Sequence, residues 1–324
     1  MPEPSTTPKR RGRLLRCGAA FVVLLAVAGY LAVQYVTGGR SGPGCTVVSG
    51  EGDGATYEFS PEQAVNAATI TAVGTARGLP ERAVTIALAT ALQESALRNI
   101  EHGDRDSLGL FQQRPSQGWG TEKQIMDPIY SAGMFYDHLV EVPGYTRLPL
   151  TVAAQRVQRS GFPQAYAKHE PDATLLAAAL TGRAAATLTC EGRPDATRLT
   201  GPDAVRSALV RDFGRDAMQE AGAEVGAETA APATPEPSVT ARTSGRTVTV
   251  PVPARAETGD ERVRGWQLAH WAVANASALH IERVSYAGRE WVAGTTDSRW
   301  REAEPSADAK SGEAADAVRI VTAQ

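Results

Sequence analysis

Between Glu220 and Gly245 the chain is built from Ala, Glu, Thr, Pro, Ser and Gly, with almost no large apolar residue. Such a segment cannot bury enough surface to offset the entropy of ordering itself. Whatever folds must therefore fold on either side of it, and 324 residues are enough for two domains of ordinary size. The boundaries that follow are a basic segment 1–16, an apolar run 17–36, a spacer 37–59, a first domain 60–190, a short helix and linker 191–245, and a second domain 246–324. Hydrophobic residues at 42% and charged residues at 21% fit globular parts joined by polar filler. A formal net charge of −3 supplies no global basic field, so nucleic acid is not an expected partner.

From Cys17 to Val36 the chain carries no charge. About 20 apolar residues span a bilayer core as a helix. Lys9, Arg10, Arg11, Arg13 and Arg16 before it would stay cytoplasmic. This predicts a single-pass membrane anchor with the bulk of the chain outside the cytoplasm. The competing reading is a cleaved signal peptide, with Ala26-Val27-Ala28 as the cleavage pattern and a secreted product. Both readings export the protein. In an oxidising compartment Cys45 and Cys190 can form a disulfide across the first domain; the alternative is two unrelated buried thiols. Cys17 has no obvious partner.

The first domain reads as mainly helical. Ser60-Pro-Glu-Gln63 carries the marks of a helix start, with a capping hydroxyl, Pro in the first turn and an amide that can reach back. Pro80 and Glu81 begin a second helix, with Val84, Leu88, Ala91 and Ser95 along one face. Further helical patterns cover 129–140, 149–158 and 172–180, and 203–213 follows in the linker segment. Near the end of the second helix stands Glu94. Its helical neighbours three, four and seven positions back are Ala91, Thr90 and Ala87. A carboxyl at the edge of such a face is poorly solvated and keeps its proton to higher pH. The plainer reading is a solvated helix-surface acid. Asp104 and Asp106, beside Gly103, are either turn residues or a second carboxylate near Glu94.

Gln93-Glu94-Ser95, followed by Gly109-Leu-Phe-Gln112, resembles the lysozyme-like superfamily, closest to soluble lytic transglycosylases and related actinobacterial cell-wall enzymes. The resemblance covers about residues 60–179. It implies a lysozyme-like fold, no cofactor, and Glu94 as the single catalytic acid that cleaves the MurNAc–GlcNAc bond of peptidoglycan glycan strands. It also implies Ser95, Gly109, Leu110, Phe111, Gln112 and Gln113 as substrate-binding positions. Trp119 has a flat face suited to a sugar ring or to packing. Those enzymes carry a later Ala-Tyr-Asn element. Here Tyr166 stands near that place and no Asn follows, which leaves open a non-catalytic peptidoglycan-binding or scaffold protein that keeps the cleft. No His pair has ligand spacing, so no metal is expected.

The second domain reads as a small α+β module. Residues 247–252 form a strand expected at an edge because of Pro251. Residues 264–276 form an amphipathic helix, 281–286 and 289–292 a hairpin, and 317–322 a strand that could close the sheet. It resembles a C-terminal domain appended to actinobacterial cell-wall proteins. Trp266, Trp271 and Trp291 are expected in its core.

Overall fold

A computed structural model describes residues 44–192, 201–214, 241–252, 260–294, 299–303 and 317–323. Three short strands open and close the first half: β1 (Cys45–Val48), β2 (Thr56–Phe59) and β3 (Leu188–Cys190). They pair antiparallel in the order β2-β1-β3, with Cys45 opposite Cys190. These two cysteines form a disulfide across a sequence separation of 145 residues. β1 and β2 occupy what the sequence predicts as spacer. With only four residues each, they give no long alternation to read.

Helix α1 (Pro61–Ala76) starts as its capping box requires. Gln63 N–H donates to the Ser60 hydroxyl and the Ser60 N–H to Gln63 Oε1. Helix α2 (Glu81–Ser95) is buried on nearly every side, well beyond the single face seen in the sequence. Its small residues, Ala83, Ala87, Ala89 and Ala91, let neighbours approach closely from all directions. Around it lie α3 (Glu122–Ile125), α4 (Pro128–Val140), α5 (Leu150–Gln158) and α6 (Glu170–Leu180). Helix α7 (Pro202–Phe213) packs on α1.

The C-terminal part is a six-stranded antiparallel sheet in the order β4-β5-β9-β6-β7-β8. Its strands are β4 (Arg242–Ser244), β5 (Thr247–Pro251), β6 (Ile281–Tyr286), β7 (Arg289–Val292), β8 (Arg301–Glu302) and β9 (Ala317–Thr322). Ala287 and Gly288, both at positive φ, make the two-residue turn between β6 and β7. Two expectations are corrected. β5 is interior, flanked by β4 and β9; Pro251 is tolerated because β4 is short and pairs only with residues 247–249. β9 lies in the middle of the sheet, between β5 and β6.

Helix α8 (Asp260–Ala274), followed by the single turn α9 (Ala276–Leu279), joins the two halves. It packs on β6 and β9 on one side and on α1, α6 and β3 on the other. Polar contacts cross the same boundary. Gln267 Nε2 donates to Thr75 Oγ1 at 2.7 Å, and Trp300 Nε1 to the Leu188 carbonyl at 2.9 Å. Trp271 Nε1 donates to the buried carboxylate of Asp212, which also accepts from Thr69 and Arg211. Trp266, Trp271 and Trp291 are buried in this shared core. The described residues all belong to one compact unit.

The expected fold class of a transmembrane helix, a mainly α lysozyme-like domain and a small α+β module is therefore corrected to an α+β fold. Among the described residues no helix is long and apolar enough to cross a membrane. The basic segment 1–16, the run 17–36 with Cys17, residues 37–43 and most of the linker lie outside the described residues.

Candidate active site

Glu94 occupies the last turn of α2 and is half-buried. The helix stops there because Ala96 and Leu97 both take left-handed backbone, at φ 53° and 58°. That conformation is unfavourable for residues with a Cβ. It persists because α1 holds both carbonyls: Gln63 Nε2 donates to Ala96 O and the buried Asn66 Nδ2 to Leu97 O, each at 2.8 Å. The turn after the helix is tied back to it as well. Ser95 Oγ donates to Leu110 O at 2.8 Å and to Ala91 O at 3.1 Å.

Residues Gly109–Gln112 form a tight loop closed by Leu108 and Gln113, whose N–H groups donate to each other's carbonyls at 2.9 and 3.0 Å. Gly109 is required in it: φ is 74°, and a Cβ would come within 2.8 Å of Ile125 O. Gln112 also sits at positive φ, with its amide donating to Gly109 O at 3.2 Å.

Two side chains reach Glu94 from the far side of the sequence. Tyr166 Oη donates to Glu94 Oε1 at 2.7 Å. Gln158, the last residue of α5, is close enough to the carboxylate to lower its pKa, and its Nε2 donates to Phe111 O at 2.8 Å. Gln158 thus couples Glu94 to the Gly109–Gln112 loop. Burial pushes the Glu94 carboxyl above the usual carboxylate range; Tyr166 and Gln158 pull it down without cancelling that. The C-terminal end of α2, the negative pole of the helix dipole, also disfavours a negative charge there. Burial, followed by the neighbouring Glu94 charge, drives the Tyr166 phenol far above its ordinary value, so it remains a donor.

A family model described as "VldE, C-terminal domain" matches residues 210–315. No curated protein matches the chain. The VldE match begins inside α7, runs through β8 and stops before β9. It therefore covers α8 and most of the six-stranded sheet, and does not reach Glu94.

The remaining expected site residues fall into two groups. Gln112 and Trp119 keep solvent-accessible surface, Trp119 with its ring edge-on to His138 at 4.5 Å. Leu110 and Phe111 are fully buried, with Phe111 stacked on Phe135 at 4.7 Å; Gln113 is buried and donates to Ser131 O. These three support the loop from its buried side. Gly109 and Ser95 are buried too and act through the backbone they hold. Tyr166 is buried except for its contact with Glu94, so it positions the acid.

Asp106 accepts from Arg114 Nε at 2.7 Å and from the Ser116 N–H at 2.9 Å. Those Ser116 and Arg114 hydrogen bonds hold it far below the usual carboxylate range. Its two oxygens close the 106–116 loop. Asp104 is exposed beside Arg105. Among the described residues no group of three His, Cys, Asp or Glu is arranged to hold a metal ion.

Gln158, Ser160, Asn66 and Gln63 are the site residues that sequence reading passes over. The Ser160 hydroxyl accepts from the Phe162 N–H in the connection that leads to Tyr166. Nothing in their spacing marks them, because Asn66, Gln63 and Gln158 act across 31 to 47 positions and Ser160 acts through the backbone.

Proposed function

We propose that this protein is a peptidoglycan glycosidase of the lytic transglycosylase type, with Glu94 as its one catalytic acid. The observation that carries the reading is a half-buried carboxyl with a raised pKa, oriented by the Tyr166 hydroxyl beside the Gly109–Gln112 loop. The resemblance of Gln93-Glu94-Ser95 and Gly109-Leu-Phe-Gln112 to lysozyme-like enzymes supplies the substrate class, the MurNAc–GlcNAc bond of glycan strands. The Cys45–Cys190 disulfide supports an extracytoplasmic place of action.

The chemistry asked of Glu94 has two steps. Protonated Glu94 gives its proton to the glycosidic oxygen as the bond to the anomeric carbon breaks and positive charge spreads over that carbon and the ring oxygen. The resulting carboxylate then takes the proton of the muramoyl 6-hydroxyl, whose oxygen bonds to the anomeric carbon and closes a 1,6-anhydro ring. Tyr166 and Gln158 serve the second half, because donors stabilise the carboxylate between the two transfers. Burial serves the first half, because it keeps the proton in place at higher pH. No second carboxylate is required, consistent with Asp106 being committed to Arg114 and Ser116.

The test is digestion of purified sacculi by the exported part of the chain, with mass spectra of the released muropeptides. Anhydro ends are expected. Glu94→Gln keeps the shape and cannot donate the proton, so release should fall by about 10²–10⁴-fold while sacculus binding survives. Reducing ends would make the protein a hydrolase. Release by Glu94→Gln at the parent rate would show that Glu94 is not the acid, and no release by the parent would return the chain to a non-catalytic wall-binding role.

A further inference from the structure

We infer that Phe162 is the apolar contact for a pyranose ring of the glycan strand bound at Glu94, held in place by Ser160. The inference rests on the glycosidase reading and adds to it a substrate-contacting residue in the connection between Gln158 and Tyr166.

Phe162 is 77% exposed, the most exposed large hydrophobic residue among those described. An isolated apolar residue on a surface is ordinary; its attachment is what distinguishes this one. It lies midway in the connection between Gln158, which donates to Phe111 O in the Gly109–Gln112 loop, and Tyr166, which donates to Glu94. Four residues of chain reach at most about 14 Å, so the ring cannot be far from either.

The connection is also built rather than slack. Gln155 Nε2 donates to Ser160 O at 2.8 Å, and the Ala165 N–H to Phe162 O at 3.0 Å. The Phe162 N–H donates to Ser160 Oγ at 3.1 Å. The connection that carries Phe162 therefore ends, four residues on, at Tyr166, which donates to the carboxyl that would do the chemistry.

The ring itself makes no recorded aromatic partnership and is left facing solvent, while every other Phe among the described residues is buried. A rigid flat apolar face close to a site for a polar polymer fits the C–H face of a sugar ring, which presents axial hydrogens rather than hydroxyls. Aromatic surface set among a few polar groups is the usual make-up of a small-ligand site. The ligand class is an N-acetylhexosamine unit of the strand. Stacking of this kind would strengthen ground-state and transition-state binding alike, and so act on KM.

The test measures binding without turnover. In a Glu94→Gln background, chitotetraose and chitohexaose are titrated by calorimetry, first with Phe162 and then with Phe162→Ala and Phe162→Trp. Phe162→Ala is expected to weaken binding about five- to tenfold. Phe162→Trp should retain it and show a change in tryptophan emission absent from the parent. In the Glu94-containing enzyme, Phe162→Ala should raise KM on sacculi with kcat little changed. Ser160→Ala should do part of the same, by freeing the turn. Equal affinity for Phe162 and Phe162→Ala, with no spectral response from Phe162→Trp, would overturn the assignment. If the Glu94→Gln protein binds no oligosaccharide at all and the parent releases nothing from sacculi, the glycosidase reading has failed, and this one with it.

Discussion

Glu94 is pulled in two directions, and each pull has its own consequence. Burial favours the protonated acid, and the Tyr166 hydroxyl favours the carboxylate. Its folded pKa lies above its unfolded one, so the ionised form is the one that folding disfavours. Below about pH 4, where even the unfolded chain is protonated, this penalty is absent. It grows as pH rises through the interval up to the folded pKa and is then constant. Glu94→Gln, which stays neutral, should therefore melt above the parent at pH 7 and level with it near pH 3. Melting temperatures measured from pH 3 to 8 would refute this if the two curves ran parallel. Tyr166→Phe removes the donor. The Glu94 pKa should rise further, so the basic limb of the activity profile should move to higher pH. Stability should fall by about 1.5–3 kcal/mol for a hydrogen bond to a charged group. A profile whose basic limb stays in place would separate Tyr166 from the acid.

At the scale of the element, the site depends on where α2 stops. Ala96 and Leu97 are not residues that choose left-handed backbone, and α1 imposes it through Asn66 and Gln63. Asn66→Ala should leave the buried Leu97 carbonyl unpaired and cost about 1–3 kcal/mol. It should also lower kcat, because the end of α2 is what aims Glu94. Loss of stability with full activity would show that the Ser95 bond to Leu110 is enough. This is also where the sequence is only partly legible. The Ser60–Gln63 capping box, the Pro80 start and the Gly109 turn are local, written within four residues, and they can be read. The identity of Glu94 as a special carboxyl needs more than its own helix, since Ala91, Thr90 and Ala87 describe any buried face. Its partners Gln158 and Tyr166 lie 64 and 72 positions away, and no spacing rule connects them. Leu110, Phe111 and Gln113 sit in the motif, and all three are buried, which the motif alone does not tell.

At the scale of the whole molecule, the composition break at 220–245 reads as a boundary between independent domains, and the packing argues otherwise. Composition reports what a linker can do, not whether the parts it joins share a core. Helix α8 has an apolar surface on both sides, one for the sheet and one for α1, α6 and β3. His270 Nδ1 lies 2.7 Å from the Ala179 carbonyl, and burial lowers its pKa to about 4, so it is neutral within this contact. The most sensitive point of the boundary is Gly182, just after α6. Its φ is 86°, and a Cβ there would overlap the Val263 carbonyl oxygen of α8. Gly182→Ala is thus opposed twice, by backbone conformation and by backbone contact, and no flexible side chain is available to move aside. A destabilisation of about 2–4 kcal/mol is expected, of the size seen for overpacking and unfavourable φ together. If the two halves share one core, the loss should appear as one cooperative transition moved to lower denaturant, with far-ultraviolet dichroism and tryptophan emission coinciding. The two probes sample different halves: three of the buried tryptophans, Trp266, Trp271 and Trp291, are C-terminal, whereas α1, α2, α4, α5 and α6 carry much of the helical signal. Two separated transitions, with the helical signal unmoved by Gly182→Ala, would restore the independent C-terminal domain and leave α8 as a mere contact.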